Sequence, residues 1–280
     1  MVFTLLCFQL TISCQLATGK SPDIVMIAID DLRPMLGCYG DQRIKSPNID
    51  SLAKRGVVFE RAYCQYAKCG TSRLSLMTGL RPDSIGIFSN SASDVIKFRA
   101  HHPEINSIAH WLKKSGYHTQ SFGKIYHDGW DHRNDWSTDS HPGRDREMLE
   151  ITDPKNATAP TVIAERLNCP ILQAPAVPDD HLFAGRMTTE VIDTLAHFED
   201  PEPLFLAIGF RRPHLPFVAP KSYFDQYDIN DSWLASNQRP STDVPLMSWF
   251  NSDGYVGSAR KIGLTMPSQP DYDEAMNWNG

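Results

Sequence analysis

The chain has 280 residues, 41% of them hydrophobic and 21% charged, with a formal net charge of -6. That length supplies one large domain or two small ones with an ample core, and the composition is that of an ordinary soluble globular protein. The acidic balance argues against a general nucleic-acid or polyanion binder, while still allowing a small anionic substrate met by a few local cations.

Residues 1–20, "MVFTLLCFQLTISCQLATGK", read as an export signal. Val2 to Ile12 form a short apolar core, and Ala17-Thr18-Gly19 offers small residues for cleavage. The stretch is too short and too interrupted for a membrane span, so an exported protein, periplasmic or secreted, is expected. Cys7 and Cys14 fall in this leader. Cys38, Cys64, Cys69 and Cys169 remain, too few for a disulfide framework. Asn156 and Asn230 open glycosylation sequons.

The apolar run Ile24 to Ile29 reads as a strand buried on both faces, as in a parallel sheet. "SPNIDSLAKRGVVF" reads as a helix capped by Asn48 and stopped at Gly56, followed by a short strand from Val57 to Phe59. "INSIAHWLKKSG" repeats the pattern: Asn106 or Ser107 caps, Ile108, Trp111 and Leu112 face inward, and "YHTQSFG" follows as a strand. Residues 128 to 182, rich in Asp, Pro, His and Trp, read as loops covering one edge. Met187, Val191 and Leu195, with Ile192 beside them, mark one helix, and Leu204 to Phe210 a buried strand. Beyond residue 230 no clear helix or strand pattern appears, and there is no internal repeat. Strand-helix-strand alternation predicts an α/β domain with a largely parallel central sheet flanked by helices, and in such sheets sites gather beyond the carboxyl ends of the strands.

Asp30 and Asp31 stand at the end of the first strand, where paired carboxylates suit either a hard divalent cation or a solvated turn. In "CGTSRLSLMTG" Cys69 precedes Thr71 and Ser72, both candidate caps, and Arg73 in the first turn of a helix. A helix start favours an anion and would lower a thiol's pKa; a buried cysteine behind an ordinary cap is the plainer alternative. Lys124 and His127 follow one strand, and Arg211, Arg212 and His214 follow another. Three strands and one helix start thus deliver two acids, several cations, two imidazoles and a thiol to one edge.

These residues resemble the type I sulfatase family. "CGTSR" followed by Leu76-Met77-Thr78-Gly79 is similar to that family's Cys-x-Pro-Ser-Arg signature. "DDLRPMLGCYGD", "GKIYH" and "RRPHLPF" look like its iduronate-2-sulfatase branch, over about residues 22 to 225. The resemblance implies an alkaline phosphatase-like sulfatase fold, with residues 21–230 as the N-terminal part of the catalytic domain and 231–280 as an irregular, incomplete segment. It implies that Cys69 is oxidised to formylglycine by a maturation enzyme, and that the hydrated aldehyde attacks sulfur and then expels sulfate.

By the same resemblance Asp30, Asp31 and residue 69 would bind Ca²⁺, and Arg73 would steady the formylglycine and these carboxylates. Lys124 and His214 would contact the sulfate, and His127 would hydrogen-bond the diol. Arg211 and Arg212 would meet an anionic substrate group such as a uronate on a sulfated saccharide. Two departures stand out. Thr71 replaces the signature proline that maturation enzymes read, and the family's later Asp-His or Asp-Asn pair and further lysine are not found in these 280 residues, so the C-terminal part of the fold is expected to be missing. The alternatives are a phosphoesterase of the wider alkaline phosphatase superfamily and an inactive, anion- or carbohydrate-binding remnant.

Overall fold

Three runs of the chain pair into one parallel sheet in the computed structural model, which describes residues 21–139, 172–214 and 217–228. Strand β1 is Ile24–Ile29, β2 is His118–Gly123, and β4 is Leu204–Phe210. Between the last two in sequence, β3 (Leu172–Gln173) pairs with β5 (Phe217–Val218) as a separate parallel pair. The main sheet runs in the order β1-β4-β2. Ile29 lies opposite Phe210 and Gly123 opposite Gly209, so all three carboxyl ends reach the same edge.

The central position explains why β4, Leu-Phe-Leu-Ala-Ile-Gly-Phe, holds no polar residue: its first six positions are all buried. Strand β1 departs from the expected burial on both faces. Among the described strands it lies at an edge, and while Ile24 and Met26 pack into the core, Val25 and Ile27 are exposed.

Seven helices among the described residues surround this frame: α1 (Pro47–Ala53), α2 (Cys69–Thr78), α3 (Pro82–Ile85), α4 (Ala92–His101), α5 (Ile108–Lys114), α6 (Phe183–Ala196) and α7 (Lys221–Phe224). On one face of the sheet Leu74 and Met77 of α2, Val95 and Phe98 of α4 and Ala109 of α5 pack with Trp130, Trp136, Phe205 and Ala207. On the other, Met187 and Val191 of α6 cover Phe122, Leu204, Leu206 and Ile208. Each large side chain so buried contributes about 1.5–3 kcal/mol. The α/β architecture with flanked parallel sheet is therefore as the sequence predicts.

Local details correct the sequence reading. Helix α1 starts at Pro47 behind Ser46, so Asn48 lies inside it and is not its cap; Pro at the first helical position gives up an N–H that has no partner there anyway. Thr71 and Ser72 likewise sit within α2, whose cap position is Lys68, with no side-chain capping hydrogen bond. Ser107 caps α5, accepting the His110 N–H at 3.0 Å. Ala109 and Leu112 carry the inward stripe of α5, while Ile108 and Trp111 are exposed.

On α6, Leu195 and Ile192 are exposed although Met187 and Val191 are buried. Val57 to Phe59 form no strand: Val57 is 82% and Phe59 71% exposed. β-Branched and aromatic residues favour strands only where a neighbour strand completes the ladder. Residues 128–139 do not merely cover an edge, since Trp130 and Trp136 are fully buried. The leader, Cys169, Asn156, Asn230 and the segment 231–280 lie outside the described residues. No helix among the described residues is long and apolar enough to cross a membrane.

Candidate active site

The parallel register collects the predicted residues at one edge: Asp30 and Asp31 follow β1, Lys124 and His127 follow β2, and Arg211 to His214 follow β4. Two glycines let β2 and β4 close there. A Cβ at Gly209 would overlap the Lys124 carbonyl, and one at Gly123 (φ 69°) would overlap the Gly209 carbonyl, which instead accepts the Lys124 N–H at 2.8 Å. Asp31 has φ 57°, a left-handed conformation costly for a non-glycine residue and most often kept at functional sites.

Asp30 is buried and held by two cations. Arg73, four residues after Cys69 on α2, donates to Asp30 Oδ1 at 2.8 and 3.2 Å, and Lys124 Nζ donates to Oδ2. The same guanidinium donates to the carbonyls of Lys124 and, at 3.0 Å, Ile125. One planar side chain thereby ties the end of β1 to the end of β2 through α2, a fork geometry only arginine provides. Burial by itself would raise the Asp30 pKa, but the charges and hydrogen bonds of Arg73 and Lys124 hold it below the usual carboxylate range.

Cys69 opens α2 beside this ion cluster. Burial pushes its thiol up, but hydrogen bonding by His127 and His214 and the charge of Lys124 outweigh that and bring it to about 5. An anion at this position is therefore stabilised at neutral pH. His127 packs against Trp130, with ring centroids 5.6 Å apart. His214, in the turn after β4, also approaches Asp31 Oδ2 at 3.9 Å. Asn90, between α3 and α4, completes the neighbourhood: its Nδ2 lies 3.5 Å from Cys69 Sγ. Nothing in the sequence singled it out, because an asparagine between two serines reads as ordinary loop.

The remaining two cations part ways. Arg211 pairs with Asp128 at 2.6 Å, an acid the sequence reading passed over, and this pairing lowers the Asp128 pKa against the effect of burial. Arg212 donates to the His214 carbonyl at 3.1 Å and lines a cavity of about 540 Å³ with Leu182, Thr188, Phe210, Val218 and Tyr223.

Asp30 and Asp31 offer the carboxylate oxygens that hard cations take, and the left-handed turn at Asp31 leaves its carboxylate 59% exposed. The donor type fits calcium or magnesium. The count covers only part of a shell, since calcium takes about 6–8 oxygens. Among the described residues, the one group of three His, Cys, Asp or Glu donors within 4.8 Å of one another is His118, Asp200 and Glu202. It lies at the amino ends of β2 and β4, the opposite end of the sheet.

The family model described as Sulfatase matches residues 22–275. The chain is 35% identical over 235 residues to iduronate 2-sulfatase of Mus musculus, covering 81% of this chain and 41% of that protein. It is 30% identical to a protein named Sulfatase from Formosa agariphila, over 74% of this chain and 42% of that one. Thus the chain spans about two-fifths the length of these curated relatives. Among solved structures, the phosphonate monoester hydrolase of Agrobacterium radiobacter superposes with a TM-score of 0.53 at 24% identity, covering 74% of this chain and 44% of that one, a likeness of fold.

Proposed function

Because this chain belongs to the sulfatase family, we propose that it carries the N-terminal part, residues 21–230, of a sulfuric ester hydrolase acting on a sulfated, uronate-containing saccharide, in the manner of iduronate 2-sulfatase. The observation that carries this reading is the setting of Cys69: a helix start where His127 and His214 hydrogen-bond the side chain and the charge of the buried Lys124 acts on it. That setting suits a maturation enzyme's product, formylglycine at position 69, which when hydrated supplies a hydroxyl nucleophile for sulfur and releases sulfate by reforming its aldehyde.

The chain's own groups then divide the work. Lys124 and His214 face the sulfate and stabilise charge as the S–O bond breaks. The His127 imidazole hydrogen-bonds the diol and takes the proton of its remaining hydroxyl as the sulfated intermediate collapses to the aldehyde and sulfate leaves. Arg73 keeps Asp30 in place, so that Asp30 and Asp31 can hold Ca²⁺, which supplies charge stabilisation at a sulfate oxygen. Arg212, which lines the cavity, meets a uronate carboxylate, while Arg211 is held by Asp128. Export through the leader at 1–20 would bring the protein to such substrates.

The test is peptide mass analysis at Cys69 joined to turnover, by a full-length form of the protein, of an aryl sulfate and of a 2-O-sulfated uronate disaccharide. Formylglycine with sulfate release is expected. A formylglycine-bearing protein that releases no sulfate, or that prefers phosphate monoesters, overturns the reading.

A further inference from the structure

Helix α2 begins without a cap of its own, because the Lys68 side chain at the cap position makes no capping hydrogen bond to the helix start. The first backbone N–H groups of a helix have no partner within it. Here the Gly70 N–H finds one 20 residues away, in Asn90 Oδ1 at 3.0 Å. The approach requires glycine: a Cβ at residue 70 would lie 2.6 Å from Asn90 Oδ1 and 2.9 Å from the Trp130 ring. The loop carrying Asn90 is held on both sides. Ser89 Oγ accepts the Ser91 N–H at 3.1 Å and donates to Asp94 Oδ2 at 2.6 Å.

This bond decides which way the carboxamide faces. An N–H donor at Gly70 must be met by the amide oxygen, so the amide nitrogen is the atom left to face Cys69 Sγ, at 3.5 Å. We infer that Asn90 is a positioning residue, an N-cap supplied from another part of the chain that donates its amide N–H to the side chain of residue 69 and fixes that side chain's orientation. The inference rests on the sulfatase reading for its kinetic consequence, because the sulfur marks where the oxygens of formylglycine would stand. Residue 69 then meets a neutral donor on one side and the two imidazoles and Lys124 around the rest.

Asn90→Asp and Asn90→Leu separate this role from plain capping. Asp keeps the shape and the oxygen that accepts from Gly70 but replaces the donor with a negative oxygen; Leu keeps the approximate shape and loses both. In formylglycine-bearing protein, Asn90→Asp is expected to keep the parent Tm while kcat on an aryl sulfate falls about 10- to 100-fold with KM little changed. Asn90→Leu should lose both Tm and kcat. Parent kcat in Asn90→Asp, or kcat that falls only where Tm falls, overturns the inference.

A readout without turnover keeps the two readings apart. In the ¹⁵N-labelled, unoxidised chain, Cys69→Ala should shift one of the two Asn90 side-chain amide proton signals and leave the Gly70 amide bonded. Unmoved Asn90 signals overturn the contact. If a full-length, formylglycine-bearing parent releases no sulfate from any ester, the sulfatase reading fails while these spectra still decide the role of Asn90.

Discussion

At the carboxyl ends of β1, β2 and β4 the carboxylate of Asp30 is buried between Arg73 and Lys124, whereas at the amino ends Asp200 lies 3.6 Å from a His118 that is only partly covered. The same strands build both ends. What differs is solvent, and solvent sets how much each charge matters. A buried charge must stay paired, because removing one partner leaves the other uncompensated at a cost of about 3–5 kcal/mol. A solvated pair contributes about 0–1 kcal/mol. The site edge is therefore rigid and specific, and the opposite edge is tolerant.

The sharpest way to break this contrast is Lys124→Ala. It removes the proposed sulfate contact and strips Asp30 of a partner, so kcat of a formylglycine-bearing sulfatase should fall by about 10²-fold or more. Unchanged turnover would refute the sulfate role. Next comes Arg73→Leu, expected to destabilise by about 3–5 kcal/mol in urea unfolding, against less than about 1 kcal/mol for His118→Ala. Equal losses at the two ends would dissolve the comparison.

Acid should reveal the same asymmetry. Asp30 has a folded pKa below its unfolded value, near 3.9, so its stabilisation is fully present above that value. It is lost as pH falls through the folded pKa. The stability gap between the parent and Asp30→Asn should hold from neutral pH to about pH 5 and close at lower pH, as followed by urea unfolding across pH. The smallest effect concerns a helix that faces neither end: Ser107→Ala removes the α5 cap and should cost about 1 kcal/mol in the same assay.

Much of this molecule can be read from its residues. Strands β1 and β4 declare themselves as unbroken apolar runs, and the charged residues just after them had to share an edge once the sheet was parallel. The legible signals are local in sequence. Asn90 and Asp128 escaped because their partners, Gly70 and Arg211, are brought to them only by the tertiary fold. Val57 to Phe59 misled for the converse reason: composition favours a strand, but whether a neighbour stands beside it is not a local property. Exposure of Val25 and Ile27 was hidden too, since an edge strand and a central one can share the same apolar run.

The strand order also sets a timetable. Among the described residues β1 and β2 pair only with β4, which comes at residues 204–210. At about 5–20 residues per second of synthesis, the roughly 180 residues separating the starts of β1 and β4 represent about 10–35 s, and the roughly 80 residues from Lys124 to the start of β4 about 4–16 s. His214 arrives last of all. The described sheet aligns the ends of β1 and β2 through β4, so a nascent chain halted before residue 204 would hold Asp30, Cys69, Arg73 and Lys124 without the strand that sets their register.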